Sequence, residues 1–332
     1  EAISQVCWFY DMFQREYLIA SVSGDGKVLF WSLGNDLEYP IQGFRLTPAT
    51  KRKGDTRAKR ILAGGTALAF THEGKLSSSF VVGSEGGGVY RCLLRHRGGA
   101  ASTGGKASIK TDLEWSEDSL VSVARLSSAD RTKVIRHVER YAREKGTRTV
   151  SVATIYDAKP EGGVMFPNPV DFKYQPHVGP VHATDTSPFH RNLFVSCGAD
   201  GRINLFSVLQ AQPLMTLEAA SDSGPLFVAA FSRVRPLVFA VAGADGIVYL
   251  YDLQANKSAP VEELKVLDKG HAYTKAPAVL SAAFNPQQRK LLAAGDSAGD
   301  VHVWRLGWRM SVVQGREQAQ LDALLGGSSG DL

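Results

Sequence analysis

The chain has 332 residues, 44% apolar and 21% charged, with a modest net charge of +5 whose carriers read as dispersed. That is the balance of a soluble globular protein, enough for two average domains or one large all-β domain, and it does not by itself imply nucleic acid. Cys7, Cys92 and Cys197 are too few and too far apart for a disulfide framework or a Cys-x-x-Cys metal knuckle, which favours a reducing compartment; no stretch reaches 18 apolar residues, so no membrane span is expected.

The first run, "AISQVCWF" from Ala2, already alternates as a strand, and with Glu1 as the first residue the chain reads as a piece of something longer. "LIASVSGDGKVLFW" (Leu18 to Trp31) follows as two strands around an Asp25-Gly26 turn, then the basic cluster "KRKGDTRAKR" (Lys51 to Arg60), read as a solvated loop. "TALAFT" and "SFVVGSEGGGVYRC" (Ser79 to Cys92) repeat the strand pattern. An interruption from 95 to 175 opens on the Gly/Ser-rich "RHRGGAASTGGKAS". Its "SADRTKVIRHVERYAREKG" has helical spacing: Val134, Ile135, Val138, Tyr141 and Ala142 share one face, while Arg131, Lys133, Arg136, Arg140 and Arg143 mark a basic outer face. Ser128 or Asp130 is placed to cap this helix and Gly146 to end it, and "TVSVATIYD" is predicted as a strand. Two readings stay open for the helix: it packs back on the main fold, or it docks a partner.

Three further strand sets follow: "PVHATDTS" with "LFVSCGADGRINLF", "PLFVAAFS" with "VFAVAGADGIVYLY", and "VLSAAFN" with "LLAAGDSAGDVHVW". After Trp304, "WRMSVVQ" is predicted as a last outer strand, "REQAQLDALL" as a short helix, and "GGSSGDL" as a fraying end.

The turn glycines of the five sets align at Gly26, Gly86, Gly201, Gly246 and Gly299, spaced 60, 115, 45 and 53 apart. A unit near 45 residues that makes one small antiparallel sheet must bury its faces against its neighbours, and packed radially such sheets form a β-propeller. The Asp-Gly pairs at 25, 200 and 245 suit two-residue hairpin turns with positive φ. The expected layout is two blades in 1–94, an insertion between blades in 95–175, three further blades in 176–315, and a helix with a flexible tail in 316–332.

These residues resemble the WD-repeat family, whose blades carry a buried set of His, Ser or Thr, Asp and Trp. Position by position, the resemblance implies a structural hydrogen-bond set of Ser21, Asp25 and Trp31 in the first blade, and His177, Ser196 and Asp200 in the third, with Phe206 in place of Trp. Asp245 belongs to the fourth, and His271 with Trp304 to the last, where Ala294 and Ala298 replace the polar pair.

No pattern carries catalysis. The histidines lack a His-Glu-x-x-His spacing, "GSEGGG" leads into a strand where a dinucleotide loop must open a helix, and "GGKAS" lacks the first glycine and the hydroxyl of a phosphate loop at Ala100 and Ala107. No Gly-x-Ser-x-Gly elbow is present either. Neither catalytic residues nor metal or cofactor ligands are assigned.

The turns that precede each second strand carry cations: Arg15, Lys75, Arg191, Arg233, Arg235, Arg289 and Lys290. They form a candidate rim for an acidic protein partner. Beyond the blade pattern, "SPFHRNLFVSCGADG", "VRPLVFAVAG" and "QQRKLLAAGDSAGDVHVW" resemble the WD-repeat intermediate chains of cytoplasmic dynein-2, closely over 177–306 and recognisably over 4–94. That resemblance implies a seven-bladed ring of which five blades are visible. It implies a non-catalytic scaffold that grips a dynein heavy chain beside a second intermediate chain, serves retrograde intraflagellar transport, and lies in the cytoplasm and cilium. Light chains would bind upstream of the residues present, and neither membrane nor nucleic acid is an expected partner. An axonemal-arm intermediate chain or a WD-repeat adaptor outside dynein remains the alternative.

Overall fold

The computed structural model describes residues 2–11, 15–50, 59–71, 79–94, 112–124, 126, 128–159, 166–218, 224–266 and 276–326. In chain order, β1 (Ile3–Asp11), β2 (Glu16–Ser23), β3 (Lys27–Ser32) and β4 (Gln42–Arg45) form one antiparallel sheet. The two-residue strands β5 (Ala49–Thr50) and β6 (Lys59–Arg60) pair with each other. β7 (Gly65–Phe70), β8 (Ser79–Ser84) and β9 (Val89–Leu93) begin a second sheet. The insertion holds β10 (Glu114–Trp115), α1 (Glu117–Ala124), α2 (Ser128–Lys145), β11 (Thr149–Val150) and α3 (Val152–Ala158). After it, β12 (Val170–Lys173) returns to pair with β9. The insertion therefore lies within the second blade, between its third and fourth strands, where the sequence had suggested a position between blades. The third sheet is β13 (Val181–Thr186), β14 (Leu193–Gly198), β15 (Arg202–Ser207) and β16 (Pro213–Glu218). The fourth is β17 (Leu226–Phe231), β18 (Val238–Gly243), β19 (Ile247–Asp252) and β20 (Glu262–Lys265), and the last is β21 (Val279–Phe284), β22 (Leu291–Asp296) and β23 (Val301–Arg305). Two short helices, α4 (Trp308–Ser311) and α5 (Glu317–Leu324), follow. Five small sheets in meander order are the blades of a β-propeller, the expected fold class.

The chain divides into two compact units, one of Glu1–Gly64 with Leu93–Val170, the other of Gly65–Cys92 with Asp171–Leu332. In the second unit the strands β7, β13, β17 and β21 stand each against the next. Side chains fasten them: Thr186 Oγ1 donates to Phe70 O at 2.6 Å, and the Phe231 amide donates to Asp185 at 2.8 Å. This contact order explains the burial. β8, β14 and β18 are buried at every residue, β14 and β18 because a sheet stands on each side of theirs, whereas β22 alternates. One repeated cross-strand pair fills the gaps, with Phe194 stacked on Phe206 (centroids 5.1 Å) and Phe239 on Tyr251 (5.0 Å). Each such ring removes enough apolar surface from water to contribute about 2 kcal/mol.

The turns correct the sequence reading in two ways. Gly26, Gly201, Gly246 and Gly299 take positive φ as expected, but in the second blade the left-handed residue is Gly87, not Gly86. The aspartates of the Asp-Gly pairs do not take positive φ. Their Oδ1 atoms instead accept the amides two residues on: Lys27 at 3.0 Å, Arg202 at 3.1 Å and Ile247 at 3.2 Å. Each turn is a side-chain-capped turn closed by a left-handed glycine, so the Asp is there as an acceptor.

In the first unit the insertion builds a small core of its own. Val134, Val138 and Ala142 of α2 pack on Val123, Leu126, Val150, Ile155 and Ala158, so the helix rests on its neighbours within the insertion. Gly146 ends it as expected, with φ +67 and the paired bonds Gly146 N–H to Arg143 O and Thr147 N–H to Ala142 O. The side chains of Ser128 and Asp130 lie outside the described residues. Thr149–Asp157, predicted as a strand, is a strand for two residues and then a helix: Ser151 and Thr154 form a reciprocal cap that starts α3 and overrides the alternation. "WRMSVVQ" is likewise helical at its start, because Met310 turns into the core and Ser311 Oγ bonds back to Gly307 O. The helix expected in "REQAQLDALL" is α5, while 327–332 lie outside the described residues.

Charge is not dispersed. The first unit carries 22 Lys and Arg against 16 Asp and Glu, the second 16 against 17, so the positive balance belongs to the first.

The reassigned glycine is testable. A Cβ on Gly87 would lie 2.3 Å from His177 O in a left-handed backbone, whereas one on Gly86 meets nothing within 4 Å. Gly87→Ala should destabilise the protein by about 1–3 kcal/mol and Gly86→Ala by less than about 0.5 kcal/mol. Thermal melts compare them, and equal melting temperatures would return the turn to Gly86.

Candidate interaction site

Behind the turn face of the third blade lies a continuous polar chain. His177, just ahead of β13, donates from Nδ1 to Asp200 at 3.0 Å. Its Nε2 then accepts from Ser196 Oγ at 2.7 Å and Asn204 Nδ2 at 3.2 Å. Asn204 Oδ1 in turn accepts from Thr216 Oγ1 at 2.8 Å. One chain of side chains thus joins the segment ahead of β13 to β14, β15 and β16. The His, Ser and Asp are the residues the family pattern selects. Asn204 and Thr216 are not, and Phe206, which stands where Trp would, has no N–H to offer. Burial pulls the Asp200 carboxyl upward, but bonds from His177 and from the Val178 and Arg202 amides outweigh it and hold the group below the usual aspartate range.

In the first blade Trp31 Nε1 donates to Ser21 Oγ at 2.9 Å, while Asp25 bonds Ser23 and pairs with Lys27 at 2.8 Å. Ser21 and Trp31 meet, and Asp25 serves its own turn. In the fourth blade Asp245 takes the Tyr249 hydroxyl at 2.6 Å. In the last blade His271 lies outside the described residues, and a set not foreseen appears there. Asp296 Oδ2 accepts from His302 Nε2 at 2.9 Å, and Oδ1 accepts the Ala298 and Asp300 amides at 2.9 Å each. Trp304 stacks on His302, centroids 5.7 Å apart. Asp296, Asp300 and His302 come within metal-ligand reach of one another. Both Asp296 oxygens are already filled, however, so the group acts as a turn lock.

The candidate rim survives in part. Arg191, Arg289 and Lys290 are exposed on the turns β13–β14 and β21–β22, and Arg233 is exposed on β17–β18, where it pairs with Asp185 at 3.5 Å. Arg15 is exposed in the first unit at a left-handed backbone position, φ +56. Lys75 lies outside the described residues. Arg235 is a correction: it is 0% exposed and faces inward. All five of its N–H groups find acceptors. Nε donates to Glu317 at 2.6 Å and Nη1 to Asp252 at 2.7 Å and to Arg309 O; Nη2 donates to Gln254 at 3.2 Å and to Glu317. This clamp fixes α5, whose Leu321 enters the core shared by the third and fourth blades. An Arg in "SRVRP" reads as surface from sequence because its partner Glu317 stands 82 positions away with no periodicity to announce it. The only local signal is the apolar run that follows at once.

A cleft of about 40 Å³ between β4 and the insertion, lined by Gln42, Gly43, Ser122, Ile155 and Phe166, is far smaller than the several hundred Å³ of a typical ligand site. Among the described residues, surface cations and exposed apolar side chains such as Trp8, Tyr17, Val301, Val303 and Trp308 are the features open to recognition.

No protein-family model matches the chain. It is 32% identical over 332 aligned residues to cytoplasmic dynein 2 intermediate chain 2 of Homo sapiens, covering 98% of this chain and 49% of that protein, and 31% identical to its counterpart in Mus musculus with the same coverage. It is 29% identical over 134 residues to the ciliary dynein intermediate chain 2 of Heliocidaris crassispina, covering 40% of this chain and 18% of the relative. The chain spans about half the length of the curated relatives it matches over its full extent, and its homologues are dynein intermediate chains.

Removing Arg235 would leave two buried carboxylates uncompensated. Arg235→Ala should cost about 3–5 kcal/mol, against less than about 0.5 kcal/mol for Arg191→Ala. Denaturant titration decides, and similar costs would put Arg235 back on the surface. Because the folded Asp200 carboxyl titrates below its unfolded value, its contribution is complete above about pH 4 and disappears as pH falls through the folded pKa. Asp200→Asn should flatten that acid limb of the stability curve. An unaltered limb would mean that other carboxylates produce it.

Proposed function

We propose that the chain is the propeller portion of a dynein-2 intermediate chain, a non-catalytic scaffold that holds a dynein heavy chain in a ciliary retrograde motor. The observation that carries this reading is the 32% identity to a dynein-2 intermediate chain over 98% of the residues. A propeller suits the role because its blades are held from within, leaving turns and edges free for other proteins. The heavy chain would meet the turn face that carries Arg191, Arg233, Arg289 and Lys290, with opposite charge steering the encounter. A second intermediate chain would complete the assembly, and light chains would bind residues upstream of those present. The protein would work in the cytoplasm and the cilium. The shorter match to a ciliary intermediate chain supports an axonemal arm as the second reading.

Affinity capture from ciliated cells with the tagged chain tests both. Recovery of dynein-2 heavy chain is the expected result. Recovery of axonemal arm heavy chains alone would move the assignment to the arm, and recovery of nuclear complexes without any heavy chain would end it. Within the first outcome, the triple variant Arg191→Glu, Arg289→Glu, Lys290→Glu should lower heavy-chain recovery about tenfold with an unchanged melting temperature. Undiminished recovery would remove the rim from the interface.

A further inference from the structure

Helix α2 has two unlike sides. Val134, Val138 and Ala142 are locked into the core of the insertion. On the opposite side, Lys133, Arg136, Arg140 and Arg143 follow one another at spacings of three, four and three residues, which sets them in a single row. All four are exposed, and none has an acidic group within 4 Å among the described residues. The helix's other cations are differently occupied: Arg131 donates to Ala124 O at 2.7 Å, and Lys145 lies over the Tyr141 ring. Glu139 and Glu144 border the row without pairing to it. Because the buried side fixes the helix and Gly146 stops it, the row is held in place rather than formed on demand.

We propose that this row is a docking ridge for an extended acidic protein segment rich in Glu or Asp. Its length supports that partner. Ten residues of helix rise about 15 Å, the span of about five residues of extended chain. Three of the four cations are Arg, whose forked guanidinium suits carboxylates. A membrane surface fits poorly, because a helix lying in a bilayer turns its apolar side to lipid and here that side is packed against protein. Single-stranded nucleic acid fits poorly too, because no aromatic side chain stands within the row to stack a base. The ridge belongs to the insertion and shares no residue with the turn face assigned above to a heavy chain.

The test uses the whole 332-residue chain and a fluorescein-labelled six-residue oligoglutamate, with phosphatidylserine vesicles and oligothymidylate as competing probes. The peptide should bind saturably and lose affinity as salt rises. The variant Lys133→Glu, Arg136→Glu, Arg140→Glu, Arg143→Glu should bind it roughly tenfold to a hundredfold more weakly. The corresponding four Gln substitutions should fall between, which guards against misfolding of the reversed variant. The triple Glu variant of Arg191, Arg289 and Lys290 should bind like the parent, so loss of the heavy-chain reading would leave this one intact. No binding to the parent chain, equal binding by both ridge variants, or tighter ridge-dependent binding of vesicles or oligothymidylate would overturn the proposal.

Discussion

A four-stranded sheet with two apolar faces has no stable existence by itself, and that constraint organises the second unit. β14 and β18 are buried at every position because each sheet is the cover of the next. Once both faces are committed, a strand can vary its residues only within the volume its neighbours leave. The same two positions in successive blades therefore keep stacked rings, Phe194 on Phe206 and Phe239 on Tyr251, while exposed positions drift. Recognition is pushed to the turns and to whatever is inserted between strands.

The polar clusters follow from the same packing. A buried imidazole beside a carboxylate is costly unless every lone pair and proton is used. In the third blade the chain from Asp200 through His177 to Asn204 and Thr216 meets that requirement by recruiting residues from a turn, from the segment ahead of β13 and from β15 and β16. The last blade reaches a comparable solution with other residues, Asp296 and His302. The family pattern is thus better described as a demand for complete pairing around an acidic turn than as a fixed list of side chains. Arg235 meets the same demand at the edge of the fourth blade. There five donors are satisfied only because α5 returns with Glu317, so α5 is part of the fold.

Most of the architecture was legible in the sequence because the repeat is periodic, and periodicity survives substitution. Strand runs, turn glycines and the buried side of α2 all follow from spacing. Three features did not. The turn in "SEGGGV" offers three adjacent glycines, and only close approach to His177 O selects Gly87. "TVSVATIYD" alternates like a strand, yet the Ser151–Thr154 cap, a matter of two hydroxyls, makes most of it helical. Arg235 looked like its neighbours in turn after turn, and its partner lies too far along the chain for local pattern to show. Each failure is a case where one specific contact outweighs an average preference.

The charge distribution carries the last step. With 16 Lys and Arg against 17 Asp and Glu the second unit is close to neutral, so the rim cations on its turns act through their local placement. In the first unit the four cations of α2 likewise act through their placement, in one exposed row. A scaffold that must hold a large subunit firmly gains little from long-range attraction once bound, since firm holding depends on buried contact and slow release. An appended helix that catches a flexible acidic segment gains much, because capture is limited by encounter. Under the two proposals the insertion would separate these demands. By interrupting the second blade between its third and fourth strands, it adds a basic surface to the chain without altering the sheet faces on which the blades depend.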